Sequence, residues 1–185
     1  MPRVIGGSSR GIPLLTPKGM ETRPTADKVK EALFSILQTR MDECSFLDLF
    51  SGSGQVGIEA ASRGAKEAVL LESSPKALAI IRKNIEKARL SDKVHLMGMD
   101  VFRGLDELGR KKQVFDIIYM DPPYDLVEDF LKKTAALVAK YNLLKPGGLL
   151  IVEHKSTDSL EQNVINLTFS RRCKYGMTMI TFYTT

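Results

Sequence analysis

The sequence predicts an α/β protein built on a doubly wound, mostly parallel sheet. Three observations lead there. Short apolar runs recur between segments of helical periodicity. The first of them runs straight into a glycine-rich turn, Ser51-Gly52-Ser53-Gly54-Gln55-Val56-Gly57, that opens a helix. The chain has 185 residues and is 43% hydrophobic, enough for one domain with a real core.

The elements follow in order. Val4-Ile5 and Ile12 to Leu15 flank Gly6-Gly7-Ser8-Ser9-Arg10-Gly11, which predicts a small hairpin over residues 3–15. Residues 16–24 form a loop with Pro17, Gly19 and Pro24. Thr25 is placed to cap a helix from Ala26 to about Arg40, with Val29, Leu33, Ile36 and Leu37 on one face. This arm, residues 1–40, is too small to hold a core alone, so residues 41–185 make the main domain. Strands are expected over Phe46–Phe50, Ala68–Glu72, Val94–Met99, Val114–Met120 and Leu149–Glu153, with helices near 55–63, 75–89 and 126–141 and a weaker one near 102–109. Ser74-Pro75 supplies a cap and a first-turn proline. Lys145-Pro146-Gly147-Gly148 reads as a turn before the fifth strand, and Val164–Arg172 with Met177–Tyr183 as a hairpin around Tyr175-Gly176. A parallel sheet that ends in an antiparallel pair, seven strands in all, fits the methyltransferase variant of the Rossmann architecture.

Composition narrows the function. No apolar stretch reaches transmembrane length, and the N-terminus lacks a signal-peptide core, which predicts a cytoplasmic protein with no membrane partner. Cys44 and Cys173 are isolated, as are His95 and His154, so neither a disulfide nor a metal site is expected. A monomer is expected. Net charge is +5, and residues 1–40 carry seven basic against three acidic side chains, nearly the whole excess. Such an arm suits a polyanion, although a merely solvated surface has the same composition.

Carboxylates stand at the ends of the first four strands: Asp48, Glu72, Asp100 and Asp121. Gly52, Gly54 and Gly57 let backbone approach a ligand closely, and Glu72, 20 residues after Gly52, can bond ribose hydroxyls. That set alone fits NAD as well as another nucleoside cofactor. Four acids are a poor home for an anionic dinucleotide and a good one for S-adenosylmethionine, which bears a sulfonium and an ammonium. Asp48 and Asp100 also sit where helix caps and turn formers sit. After the fourth strand comes Asp121-Pro122-Pro123-Tyr124. The prolines fix φ and withdraw N–H donors, leaving carbonyl acceptors. Acceptors beside an aromatic face suit a planar group with an exocyclic NH2, such as a nucleobase.

These motifs, together with Arg3-Val4-Ile5-Gly6-Gly7, Arg10-Gly11, Arg23-Pro24-Thr25 and Lys28-Val29-Lys30-Glu31-Ala32-Leu33-Phe34, resemble the RsmD family of bacterial 16S rRNA guanine-N2 methyltransferases nearly end to end. The resemblance implies S-adenosylmethionine as donor, held by Asp48, Phe50, Ser51, Gly52, Gly54, Glu72, Asp100 and Val101. It implies guanine 966 of 16S rRNA, in the small subunit or its assembly intermediate, as acceptor. Asp121, Pro122 and Tyr124 would then orient and stack the base, while Arg3, Arg10, Arg23 and Lys28 grip the RNA backbone. Three rivals stay open: methyl transfer to adenine N6 of DNA or to a protein glutamine, a nucleotide-dependent oxidoreductase, and a noncatalytic assembly factor that keeps the fold.

Overall fold

A single sheet runs through the molecule in the order β3-β2-β1-β4-β5-β8-β7-β6. The computed structural model describes residues 2–17 and 24–185, apart from the side chains of residues 24–26 and 124. Strands β1 (Ser45–Leu49), β2 (Glu67–Glu72), β3 (Val94–Gly98), β4 (Phe115–Met120) and β5 (Leu144–Lys155) are parallel neighbours, and β7 (Leu167–Tyr175) and β8 (Thr178–Thr184) complete the sheet antiparallel. The expected seven strands gain an eighth, the two-residue edge strand β6 (Asn163–Val164).

The sheet is covered on both faces. Helices α1 (Pro24–Leu37), α2 (Gln55–Ser62) and α3 (Pro75–Ala88) pack one core with Phe46, Leu70, Ile117 and Ile151. Helices α4 (Val101–Arg110) and α5 (Val127–Tyr141) pack the other with Leu47, Leu71, Ile118 and Val152. Alternate residues of each strand therefore feed opposite cores, which is why the strands read as nearly continuous apolar runs.

Local chemistry sets the boundaries. Ser74 caps α3, its hydroxyl accepting from Ala77 N at 3.4 Å, with Pro75 in the first turn. The helix of the arm begins at Pro24, two residues before the expected start, because proline's fixed φ suits the first helical position. It ends at Leu37 and continues as a 3-10 turn over Gln38–Arg40. The N-terminal hairpin reduces to one antiparallel bridge, Arg3 with Pro13. The expected turn at Lys145-Pro146-Gly147-Gly148 lies within β5. Pairing passes from Phe115 with Leu144 directly to Ile117 with Leu149, so the four residues bulge out of the ladder, Gly147 taking φ +70.

The arm shares the α1–α3 core through Val4 and Leu14, but polar contacts fix its position. Glu59 of α2, 0% exposed, accepts from Ile5 N and Gly6 N, both at 2.8 Å, and from Arg63 Nε at 2.7 Å. Lys30 Nζ of α1 lies 3.5 Å from the same carboxylate and donates to the Arg3 carbonyl at 2.7 Å. Gly7 takes φ +77 against the end of α2, where any Cβ would lie 1.7 Å from the Ser62 carbonyl oxygen. Asn84 of α3, also fully buried, bonds both backbone polar groups of Leu15 and the Ser53 carbonyl, joining arm to glycine turn.

Replacing Glu59 with Ala strands the buried Lys30 ammonium and two arm N–H groups. The expected loss is on the order of 3–5 kcal/mol of folding stability in denaturant titration. A loss below about 1 kcal/mol contradicts the lock described here.

Candidate active site

Strand order reverses between β1 and β4, and the C-terminal ends of the parallel strands frame a cleft at that switch point. The cleft has two lobes of about 220 and 460 Å³, together within the usual range for a small-molecule site. One is lined by Glu72, Ser73, Asp100, Val101, Pro122 and Pro123. The other lies under the arm, between Val29, Lys30 and Leu33 of α1 and the residues Asp48, Ser51, Gly52, Ser53, Tyr119 and Glu153. Phe50 and Asp121 line both.

The glycine turn is built by its neighbours. Asp48 Oδ2 accepts from Gly57 N at 2.9 Å, and the Asp48 carbonyl accepts from Ser51 Oγ at 2.8 Å. A Cβ on Gly57 would lie 2.4 Å from Leu70 Cδ1 and 3.2 Å from Asp48 Oδ2, so only glycine brings α2 this close. Gly52 N donates to Glu72 Oε2 at 2.9 Å. The other Glu72 oxygen accepts from Ser73 N and Ser74 N. Gly52 and Gly54 take φ of +57 and +77. Phe50 also takes a left-handed φ, +62, with its ring stacked on Phe130 at 5.4 Å.

Thus Asp48, Phe50, Ser51, Gly52, Glu72, Asp100, Val101, Asp121 and Pro122 come together at the cleft. Gly54 does not. It caps α2 and faces Ile81, Leu70 and Ile58. Asp100 uses Oδ1 to cap α4, accepting from Phe102 N and Arg103 N. The Pro123 carbonyl accepts from Leu126 N at 2.9 Å as the chain enters a 3-10 turn over Tyr124–Leu126. The Pro122 carbonyl has no such partner among the described residues. Arg3, Arg10 and Lys28 are exposed on the arm, and Arg23 lies outside the described residues, as does the Tyr124 ring.

Electrostatics distinguish the lobe under the arm. Burial pushes the Asp48 carboxyl up to about 7, against the Gly57 and Ser51 hydrogen bonds that favour its ionised form. Asp121 opens to solvent through the cleft, yet protein crowds it otherwise. Desolvation, then Glu153 and Asp48, raise its carboxyl well above the usual carboxylate range. Burial also raises Glu153, and the Tyr119 phenol that donates to Glu153 Oε2 at 2.5 Å partly opposes this. Lys30, the cation lining this lobe, is turned to Glu59 and the Arg3 carbonyl, and burial lowers its affinity for its proton. Buried carboxyls that no described side-chain cation pairs with fit a cationic ligand such as a sulfonium with an ammonium, whose charge favours their ionised forms.

Lys30, Asn84, Tyr119 and Glu153 escape a motif-based reading. Glu153 carries the signal that marked Asp121, a carboxylate closing an apolar strand, but without prolines beside it. Asn84 is a polar residue inside the buried stripe of Ala77, Ile81, Ile85 and Ala88. Among the isolated histidines and cysteines, His95 is exposed. His154 is buried against Thr181 Oγ1 and the Lys155 carbonyl, and burial pushes the Cys44 thiol up to about 12.

The family described as "Conserved hypothetical protein 95" matches residues 2–184. The chain belongs to it, the RsmD family of the motifs above. Family members similar to it include the putative rRNA methyltransferase YlbH of Bacillus subtilis, 35% identical over 181 residues, 98% of this chain and 97% of that protein. The ribosomal RNA small subunit methyltransferase D of Escherichia coli K12 is 31% identical, over 98% of this chain and 88% of that one. A hypothetical protein of Thermus thermophilus superposes with a TM-score of 0.85 and 30% identity over the full length of both chains. No described helix is long and apolar enough to cross a membrane.

Asp48 yields a pH test. Its folded-state pKa lies above the unfolded value of about 3.9, so the native state holds the proton more tightly and this group's contribution to stability falls as pH rises from about 4 to about 7. Asp48→Asn keeps an acceptor for Gly57 N and lacks the charge. Its stability relative to wild type should climb across that window and level off above it, read by denaturant unfolding. A pH-independent difference contradicts the assignment.

Proposed function

We propose that this RsmD-family protein transfers a methyl group from S-adenosylmethionine to the N2 amino group of a guanine in 16S rRNA, guanine 966 by family resemblance. The observation that carries the reading is the position of Asp121, which faces both lobes from the tip of β4. When bound, the donor supplies an electrophilic methyl on a positively charged sulfur. Glu72, Asp100 and Val101 line the lobe suited to its adenosine, and the turn from Ser51 to Ser53 with Asp48 suits its methionine end. Glu72 Oε1 is filled by the Ser73 and Ser74 N–H groups, and Oε2, which accepts from Gly52 N alone, keeps a lone pair for a ribose hydroxyl.

The target base leaves its RNA context so that N2 can reach Asp121. Tyr124 offers the stacking face, an interaction worth roughly 1–3 kcal/mol per base. Asp121 and the Pro122 carbonyl accept the two N2 hydrogens and aim nitrogen at the methyl carbon. As the carbon–nitrogen bond forms and the carbon–sulfur bond breaks, positive charge develops on N2 beside the Asp121 carboxylate. N2 then releases a proton, and the raised proton affinity of Asp121 makes it a better acceptor than an ordinary aspartate. Arg3, Arg10 and Lys28, exposed on the arm, hold the RNA backbone together with Arg23, whose placement is not described, and the acceptor is the small subunit or its assembly intermediate.

Labelled methyl should pass from S-adenosylmethionine to small-subunit particles from cells lacking this protein, and mapping should place it on guanine N2. Asp121→Ala should abolish transfer and leave donor binding within a few-fold. Normal turnover by that variant, or label on another atom, overturns the reading. Arg3→Gln with Arg10→Gln should weaken RNA binding and flatten the log–log salt slope by about 0.7 for each phosphate no longer neutralised. An unchanged slope removes the arm from the RNA interface.

A further inference from the structure

One acidic group of the cleft has no part in the chemistry above. Glu153 stands on β5 where its parallel pairing with β4 ends, and Asp121 follows the last residue of β4. The strands pair in parallel up to Met120 with Val152, so Asp121 and Glu153 are the next step on both, on adjacent backbones about 4.8 Å apart. Both line the lobe under the arm. Tyr119, almost fully buried, donates its hydroxyl to Glu153 Oε2 and fixes the carboxylate, while Oε1 has no hydrogen-bond partner among the described residues. Lys30, the cation of that lobe among the described residues, is engaged by Glu59 and the Arg3 carbonyl. A carboxylate oriented by a buried phenol, with one oxygen left over at the cleft, is set to receive a hydrogen-bond donor.

Two carboxylates side by side match one nucleobase edge. Guanine places a ring N–H, N1–H, beside its exocyclic amino group. Adenine and cytosine place an unprotonated ring nitrogen there, an acceptor that a carboxylate repels, and uracil has no amino group. We propose that Glu153 selects guanine by accepting N1–H through Oε1 while Asp121 accepts from N2, with Tyr119 as the positioning residue that holds Glu153. This rests on the guanine-N2 reading above and adds to it the source of base specificity. It assigns different work to two adjacent acids: Asp121 meets the reacting nitrogen, and Glu153 meets its neighbour in the ring.

The test uses reconstituted small-subunit particles whose rRNA carries either guanine or 2,6-diaminopurine at the acceptor position. Diaminopurine keeps the N2 amino group but presents N1 as an acceptor. Wild-type protein should favour guanine in kcat/KM on the order of 100-fold or more, the discrimination expected of a site built around a substrate N–H. Glu153→Gln, whose amide can donate to an unprotonated N1, should narrow that ratio at least tenfold, with a gain on diaminopurine as well as a loss on guanine. A uniform drop on both bases, or an unchanged ratio, means that Glu153 is only structural and overturns the inference. Should Glu153→Gln not fold, Glu153→Asp withdraws the carboxylate by one methylene and must also narrow the ratio. Tyr119→Phe should narrow it less than either. If wild type fails to methylate the guanine particle at N2, the functional reading itself falls, a result distinct from an unchanged ratio.

Discussion

Negative charge gathered on one edge of the sheet is the constraint around which the remaining parts are arranged. Parallel strands direct their C-terminal ends the same way, so Asp48 near the end of β1, Asp121 just after β4 and Glu153 where β5 leaves β4 meet at the switch point. Asp48, Asp121 and Glu153 crowd one another there, and burial is the largest cause of the raised proton affinity of each. Unrelieved, such crowding opposes folding. The protein tolerates it because Asp48 is hydrogen-bonded into the turn and Glu153 is bonded to Tyr119. Among the described residues, the nearby cations Lys30 and Arg63 are drawn to Glu59 instead. The cleft thereby keeps buried carboxyls whose ionised forms a positively charged ligand favours.

The two faces of the sheet divide the labour. Helices α4 and α5 cover theirs with a conventional apolar core, and Phe50, Phe102 and Phe130 close its upper edge as a stacked and edge-on trio. The arm and α1 to α3 cover the other with apolar packing interrupted by buried polar groups that are hydrogen-bonded, among them Ser9, Glu59, Ser62 and Asn84. Polar contacts have direction, and these fix how the arm roofs the lobe that holds Asp121 and Glu153.

Local signals made most of the fold legible. Strand runs, the glycine turn in its strand–helix context and the Ser74 cap each depend on residues a few positions apart. Long-range pairing overrode them at the Pro146-Gly147 segment. Its turn chemistry is genuine, but Leu144 pairs with Phe115 and makes the segment a bulge inside β5. At the site, the strand-tip acids were readable by type and position, their uses less so. Glu72, expected at the ribose, also braces the glycine turn through Gly52 N, and Asp100 fills the cap position that its place in the sequence also suggested. Glu59 and Asn84 were hidden because their arm partners lie 29 to 69 residues away in the chain.

Glu59 carries a consequence for how this architecture diversifies. Its charge sits in the catalytic domain, while the groups that satisfy it belong largely to the arm, so neither piece is chemically self-sufficient. A foreign N-terminal segment spliced onto this sheet would need a buried ammonium and two amides at the same depth, or a simultaneous change at residue 59. Recombination therefore has no clean seam here. The exposed Met177 turn, joining the last two strands, is under no such constraint and leaves more freedom for insertion.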